Sequence, residues 1–277
     1  MAVQAELNNM RLAVLIDADN VPRDFLKNAM EEIAIYGTPT IKRIYGDWTA
    51  PNTNGWKTSL LENAVTPIQQ YGYTTGKNST DSAMIIDAMD IHYSGRTDGF
   101  VLVSSDSDFT RLAIRLREAG QYVIGIGERK TPMPFIVACD KFIYVEVIRA
   151  RADKNIVVEE DEETPKTAKS GAARKKTTEK KPADKSAESR KPIEKNVPDN
   201  IIALIADSIS DLADDDGYTD LSNLGNLIIK KKPDFDPRNY GFGKLSNMMK
   251  YLDRFEVDVR SSSDPNVRPM YIRDKEA

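Results

Sequence analysis

The stretch DGFVLVSSDSDFTRL, running from Asp98 to Leu112, decides how the first half of the chain is read. Phe100, Val101, Leu102 and Val103 form an unbroken apolar run, the pattern of a strand buried on both faces. The run stops at Ser104, Ser105, Asp106, Ser107 and Asp108, and an amphipathic pattern begins at Phe109. A strand that feeds directly into a helix predicts one unit of a parallel sheet. The same stretch sets two carboxylates, one residue apart, at the mouth of that strand.

The alternation repeats on either side. RLAVLID (11–17), TPTIKRIYGDW (38–48), YGYTTGK (71–77), YVIGIGE (122–128) and FIYVEVI (142–148) read as further strands. Helices are expected over 21–37, over 55–72 with a break or kink at Pro67, over 79–95 and over 108–120. Ser79 and Thr80 are N-cap candidates for the third of these. The expected fold class is α/β, a mainly parallel sheet flanked by helices, in which ligands bind beyond the carboxyl ends of the strands.

A length of 277 residues suggests roughly two domains. Between Pro165 and Lys195 there are 11 Lys or Arg against 4 Asp or Glu, one Ile and no aromatic residue. Such a segment cannot bury enough apolar surface to fold, so 151–196 is expected to be a charged, disordered linker between domains at 9–150 and 197–277. Its positive excess also suits it to tracking an anionic polymer. Beyond it, NIIALIADSISDLA, DLSNLGNLIIKKKP and GFGKLSNMMKYLDRF read as three helices. FEVDVRS and RPMYIRD then read as a hairpin, which together makes a small winged-helix (α+β) domain.

Composition narrows the chemistry. The N-terminal MAVQAELNNMRLAVLIDADN lacks the basic start and apolar core of a signal peptide, and no apolar run approaches the ~20 residues that cross a bilayer. A cytoplasmic protein is therefore expected. Cys139 and His92 are the only residues of their kinds, which excludes an internal disulfide and a zinc cage built from several Cys or His. Both read as packing residues. Any metal would have to be held by oxygen.

Several oxygen donors fall where such a site belongs. Asp17 ends the first strand, with Asp19 and Asn20 next, and Asp106 and Asp108 follow another strand. Asp81 opens a helix on the face that carries Met84 and Ile85. Carboxylates converging on one sheet edge repel each other unless a cation sits among them, and with oxygen ligands alone Mg²⁺ or Mn²⁺ is the natural choice. Capping offers a plainer account of Asp108, Asp81 and Asn20, but not of Asp17 and Asp106 at strand ends. Asp87 lies six residues after Asp81, about 240° around the helix, so the two point in different directions.

LIDADNV, GKNSTDSAMIIDAM and VLVSSDSDFTRLAIRLREAG resemble the three motifs of the NYN domain, the LabA-like branch of the PIN-like nuclease superfamily. That resemblance implies a PIN-like fold and a metal-dependent ribonuclease. It also implies an acidic site of Asp17, Asp81, Asp106 and Asp108, with Asn20 as a polar supporter. The second motif usually reads KG-x-D and here reads KNSTD; Lys77 keeps the basic residue, one position further from Asp81. IADSISDLADDDGYTDLSNLGNLI and RNYGFGKLSNMMKYLDRFEV resemble the OST-HTH or LOTUS domain, a winged-helix module, and that resemblance implies RNA binding or docking of a partner protein. Lys230, Lys231, Lys232, Arg238, Lys244 and Lys250 are candidates for phosphate contacts, with Tyr240 and Phe242 available for stacking or for the core.

Two other readings stand beside this one. LIDADNV also matches the Asp-x-Asp start of haloacid-dehalogenase phosphatases, with Asp17 as nucleophile and Asp19 as acid/base, although the later lysine and acidic GD motif lack convincing counterparts. The third reading is a non-catalytic RNA-binding scaffold whose acidic pocket holds metal without turnover.

Overall fold

The protein is described here by a computed structural model covering residues 10–49, 53, 55–71, 79–152, 195–260 and 268–277. Residues 72–77 of the strand expected over 71–77, Lys77 among them, and most of the expected linker lie outside the described residues.

The first half is a six-stranded, fully parallel sheet built from β1 (Arg11–Asp17), β2 (Thr38–Gly46), β3 (Thr66–Gln69), β4 (Gly99–Val103), β5 (Tyr122–Gly127) and β6 (Lys141–Tyr144). Its strand order is β3-β2-β1-β4-β5-β6. The connecting helices are α1 (Leu26–Ile33), α2 (Trp56–Asn63), α3 (Ser79–Tyr93), α4 (Thr110–Glu118) and α5 (Met133–Ala138). Successive residues of the central strands β1 and β4 enter opposite cores. Leu12, Val14 and Ile16 pack with Val101 and Val103 against α1 and α2. Ala13 and Leu15 pack with Phe100 and Leu102 against α3, α4 and α5. Both faces being apolar explains why these strands read as continuous hydrophobic runs. Each large aliphatic or aromatic side chain so buried contributes about 1.5–3 kcal/mol.

This order places a topological switch point between β1 and β4. The chain builds outward from β1 through β2 to β3, then returns to β1's other side at β4. Crevices at such points, beyond the strands' carboxyl ends, are where open α/β sheets bind ligands. Ile16 pairs in register with Val103, so Asp17 and Ser104 leave the sheet side by side. On the next strand, a Cβ on Gly127 would come within 2.7 Å of the Ser104 carbonyl oxygen. Only glycine lets β5 lie that close to the Ser104 turn.

Three expectations need correction. The expected first helix, 21–37, shrinks to a 3-10 turn at Arg23–Phe25 followed by α1. The helix expected over 55–72 ends at Asn63, and Thr66–Gln69, Pro67 included, forms β3. Proline is tolerated there because, among the described residues, β3 is the edge strand and pairs only with β2. The strand expected over 142–148 stops at Tyr144, and residues 145–152 are helical. Val145 and Ile148 join the first core from that helix, and Val147 is buried as well, so the β-branched composition concealed it.

The C-terminal half contains α6 (Asp199–Leu212), β7 (Thr219–Asp220), α7 (Leu221–Lys231), α8 (Leu245–Tyr251), β8 (Phe255–Val259) and β9 (Met270–Asp274). The strands form an antiparallel sheet in the order β7-β9-β8. Ile205, Ile228, Met248, Met249 and Ile272 are fully buried beneath it. The Asp220 carboxylate caps α7 by accepting from the backbone N–H groups of Ser222 and Asn223. Three helices and a hairpin form as expected; β7, at two residues, was too short to show a period.

Candidate active site

The carboxyl ends of β1 and β4 hold the acidic residues, and each is fixed by a local cause. Asp17 is the last residue of β1 and is only 1% exposed. Its Oδ1 accepts from the Asp19 backbone N–H, and its Oδ2 accepts from Asn20 Nδ2 at 2.5 Å and from the Ser104 hydroxyl at 3.1 Å. Burial raises its pKa, and these hydrogen bonds oppose the rise. Ser104 in turn accepts from the Asp106 backbone N–H at 3.1 Å. One hydroxyl therefore ties the end of β1 to the turn after β4.

That turn leads into a single 3-10 turn, Ser107–Phe109, and then α4. Asp106, rather than Asp108, is the capping residue: its Oδ1 accepts from the Asp108 N–H at 2.9 Å. Phe109 is fully buried and anchors the turn. Asp81 enters from the first turn of α3. Carboxylate oxygens of Asp81, Asp106 and Asp108 lie within 4.8 Å of one another. Asp17 is outside that trio but beside it, since its charge acts on Asp81. Burial, then the charges of Asp17, Asp106, Asp108 and Asp19, push the Asp81 pKa up to about 6.

At such separations an ionised pair repels by roughly 3 kcal/mol at an effective dielectric near 20. A cluster of this kind is suited to a hard divalent cation, and its donors are all oxygen. Three carboxylates from two elements are positioned to share one ion.

Asp87 has a different task. It accepts from Arg43 and from the Tyr45 hydroxyl, both on β2, and takes no part in the trio. His92 lies near the end of α3 against Tyr93, and Cys139 is fully buried among Phe135 and Phe142, as packing residues do.

Comparison with known families fits this geometry. The NYN domain model matches residues 11–146, and the OST-HTH/LOTUS domain model matches residues 194–267. The chain pairs an NYN domain with an OST-HTH/LOTUS domain. No curated protein matches the sequence. A crystal structure of a Vibrio parahaemolyticus protein of unknown function is 19% identical, with a TM-score of 0.43, covering 50% of this chain and 93% of that one. A solution structure of an uncharacterised protein from Nitrosomonas europaea is 29% identical, with a TM-score of 0.26, covering 37% of this chain and 92% of that one.

The OST-HTH/LOTUS domain distributes its cations unevenly. Lys230, Lys244 and Lys250 are exposed. Lys231 pairs with Asp211, and Lys232 with Asp234. Arg238 is bound to Glu32 and Asp236 rather than facing solvent. Phe242 is 3% exposed and belongs to the core, while Tyr240 is half-buried against Phe235. No helix among the described residues is long and apolar enough to cross a membrane.

Ser104 is the residue that reading the sequence missed. A serine following an apolar strand looks like turn filler. Only the register of β1 on β4 reveals that it faces Asp17.

Proposed function

We propose that the NYN domain is a metal-dependent ribonuclease that hydrolyses RNA phosphodiester bonds, and that the OST-HTH/LOTUS domain binds the RNA. The observation that carries this reading is the convergence of Asp81, Asp106 and Asp108 at the switch point of the sheet. Asp81, Asp106 and Asp108 would hold Mg²⁺ or Mn²⁺. Such an ion, when bound, supplies Lewis acidity and neutralises charge on the phosphodiester.

The protein's own groups do the rest. Asp106 is rigid because its carboxylate also caps the turn and its backbone N–H is bound by Ser104. Asp17 is locked by three donors, so it acts as a fixed negative charge beneath the trio rather than as a mobile base. Asn20 serves this site by orienting Asp17. The same burial is at odds with the phosphatase reading, since a nucleophile needs an open approach and both Asp17 oxygens are engaged. In the second domain, exposed Lys230, Lys244 and Lys250 are suited to phosphates, which a carboxylate-rich pocket would otherwise repel.

The test is incubation of the protein with assorted RNAs, with and without Mn²⁺, beside an Asp106→Asn variant. Cleavage that requires both the ion and Asp106 is expected. Ion binding without cleavage would favour the scaffold reading, and release of phosphate from monoesters alone would favour the phosphatase.

A further inference from the structure

The OST-HTH/LOTUS domain touches the far edge of the NYN sheet. β6 is the last strand, and the Phe142 N–H on its outer side donates to the Pro233 carbonyl at 2.9 Å. The Tyr144 hydroxyl donates to Asp234 Oδ2 at 2.9 Å. Around these bonds lies an ion cluster drawn from both domains. Glu32 of α1, 2% exposed, accepts from Arg238 Nη2 at 2.6 Å and Nη1 at 3.0 Å. Arg238 also grips Asp236, with Nη2 at 2.7 Å from Oδ2. Lys141 of β6 is 6% exposed, and its ammonium lies 5.7 Å from the centre of the Tyr36 ring.

The charges complement each other across the boundary. One side supplies Glu32, Lys141 and, from the helix at 145–152, Arg151, whose Nη1 lies 3.0 Å from Glu32 Oε2; the other domain supplies Arg238 and Asp236. Each side contributes charges of both signs, and Arg238 spans the boundary between two carboxylates. Ions removed from water persist only when paired this closely, and a two-pronged guanidinium–carboxylate contact demands a specific orientation. Burial works against the charge of Arg238, but its hydrogen bonds to Glu32 and Asp236 more than offset that, raising its pKa. Pro233 presents a backbone carbonyl, and Asp234 and Asp236 two buried carboxylates, to this boundary, while the buried Phe235 ring roots the segment in the core of its own domain. Solvated surface loops are not built this way.

We propose that residues 232–238 are a docking arm that clamps this chain's own OST-HTH/LOTUS domain onto β6 and α1 of its NYN domain, making the two a single body. Arg238 is the anchor. The clamp, rather than the linker, then fixes where captured RNA lies relative to the acidic trio. The docking itself does not depend on the trio being catalytic.

The test uses the full chain with one protease site placed within 153–194 and cut after folding. The nicked wild-type protein is expected to elute as one species in size-exclusion chromatography, with the mass of a single chain. Arg238→Glu is expected to weaken association of the two pieces at least tenfold, with circular dichroism showing both still folded. Glu32→Gln, on the other side of the boundary, should weaken it in the same direction, and Lys244→Glu should not. Separation of the nicked wild-type pieces would overturn the proposal. So would association unchanged by both Arg238→Glu and Glu32→Gln, or an intact protein whose mass is that of a dimer.

Discussion

The Ser104 hydroxyl donates to Asp17 Oδ2 at 3.1 Å while accepting from the backbone N–H of Asp106. The two acidic strand ends are thereby coupled through one buried side chain. Ser104→Ala removes a donor to a buried carboxylate and an acceptor for a backbone N–H. A loss of roughly 1–3 kcal/mol in folding stability is expected, read from urea denaturation. If the proposed chemistry holds, single-turnover cleavage slows while RNA affinity is unchanged.

Asp106→Asn and Asp106→Ala separate two roles of one residue. Asparagine still caps the turn through its Oδ1 and relieves repulsion in the trio. Metal-free Asp106→Asn is expected to melt at or above the wild-type temperature, with a smaller stabilisation by Mn²⁺. Asp106→Ala loses the cap as well, costing about 0.5–2 kcal/mol. A metal-free asparagine variant that melted well below wild type would make Asp106 purely structural.

The Asp81 pKa, pushed up to about 6, gives a pH dependence of definite sign. In the unfolded chain an aspartate titrates near pH 3.9. Between about pH 4 and 6 the folded protein therefore holds more protons on this group than the unfolded chain does. Its contribution is fully present below about pH 4 and is lost as pH rises through 6. Metal-free protein is expected to lose stability from this group over that window, and Asp81→Asn to flatten the loss. The comparison of denaturation midpoints with the variant isolates Asp81 from groups of opposite sign, such as Asp98, whose partner Arg11 holds it at about 2.

Asp87→Asn should weaken the fold and spare the chemistry. It removes the charge that accepts from Arg43 and the Tyr45 hydroxyl, in a partly buried setting. A stability loss of roughly 1–2 kcal/mol is expected. RNA cleavage, measured at saturating Mn²⁺, should remain within a few-fold of wild type. A collapse of cleavage with stability intact would place Asp87 in the site.

The parallel sheet was legible because β1 and β4 are buried on both faces and so read as continuous apolar runs. The convergence of Asp81, Asp106 and Asp108 was legible because the ends of such strands and the starts of helices are where this architecture gathers polar groups, whereas Asp17, expected in the same set, stands outside the trio. Ser104 was not, because its role depends on which strands are neighbours, and no local pattern encodes that. Residues 145–148 read as strand because Val and Ile serve a short buried helix as well as an edge strand. Arg238 read as a free cation because its partner Glu32 lies 206 positions away in the chain.

The two margins of the parallel sheet are closed by proline in opposite ways. Pro67 on β3 offers no N–H to an incoming strand, while Pro233 lends its carbonyl to the outward N–H of β6. An open margin is a template for pairing with another molecule. The arm that holds the second domain is thus also a guard against self-association. Any variant that releases it leaves β6 uncovered, and such a protein should gather into oligomers as its concentration rises.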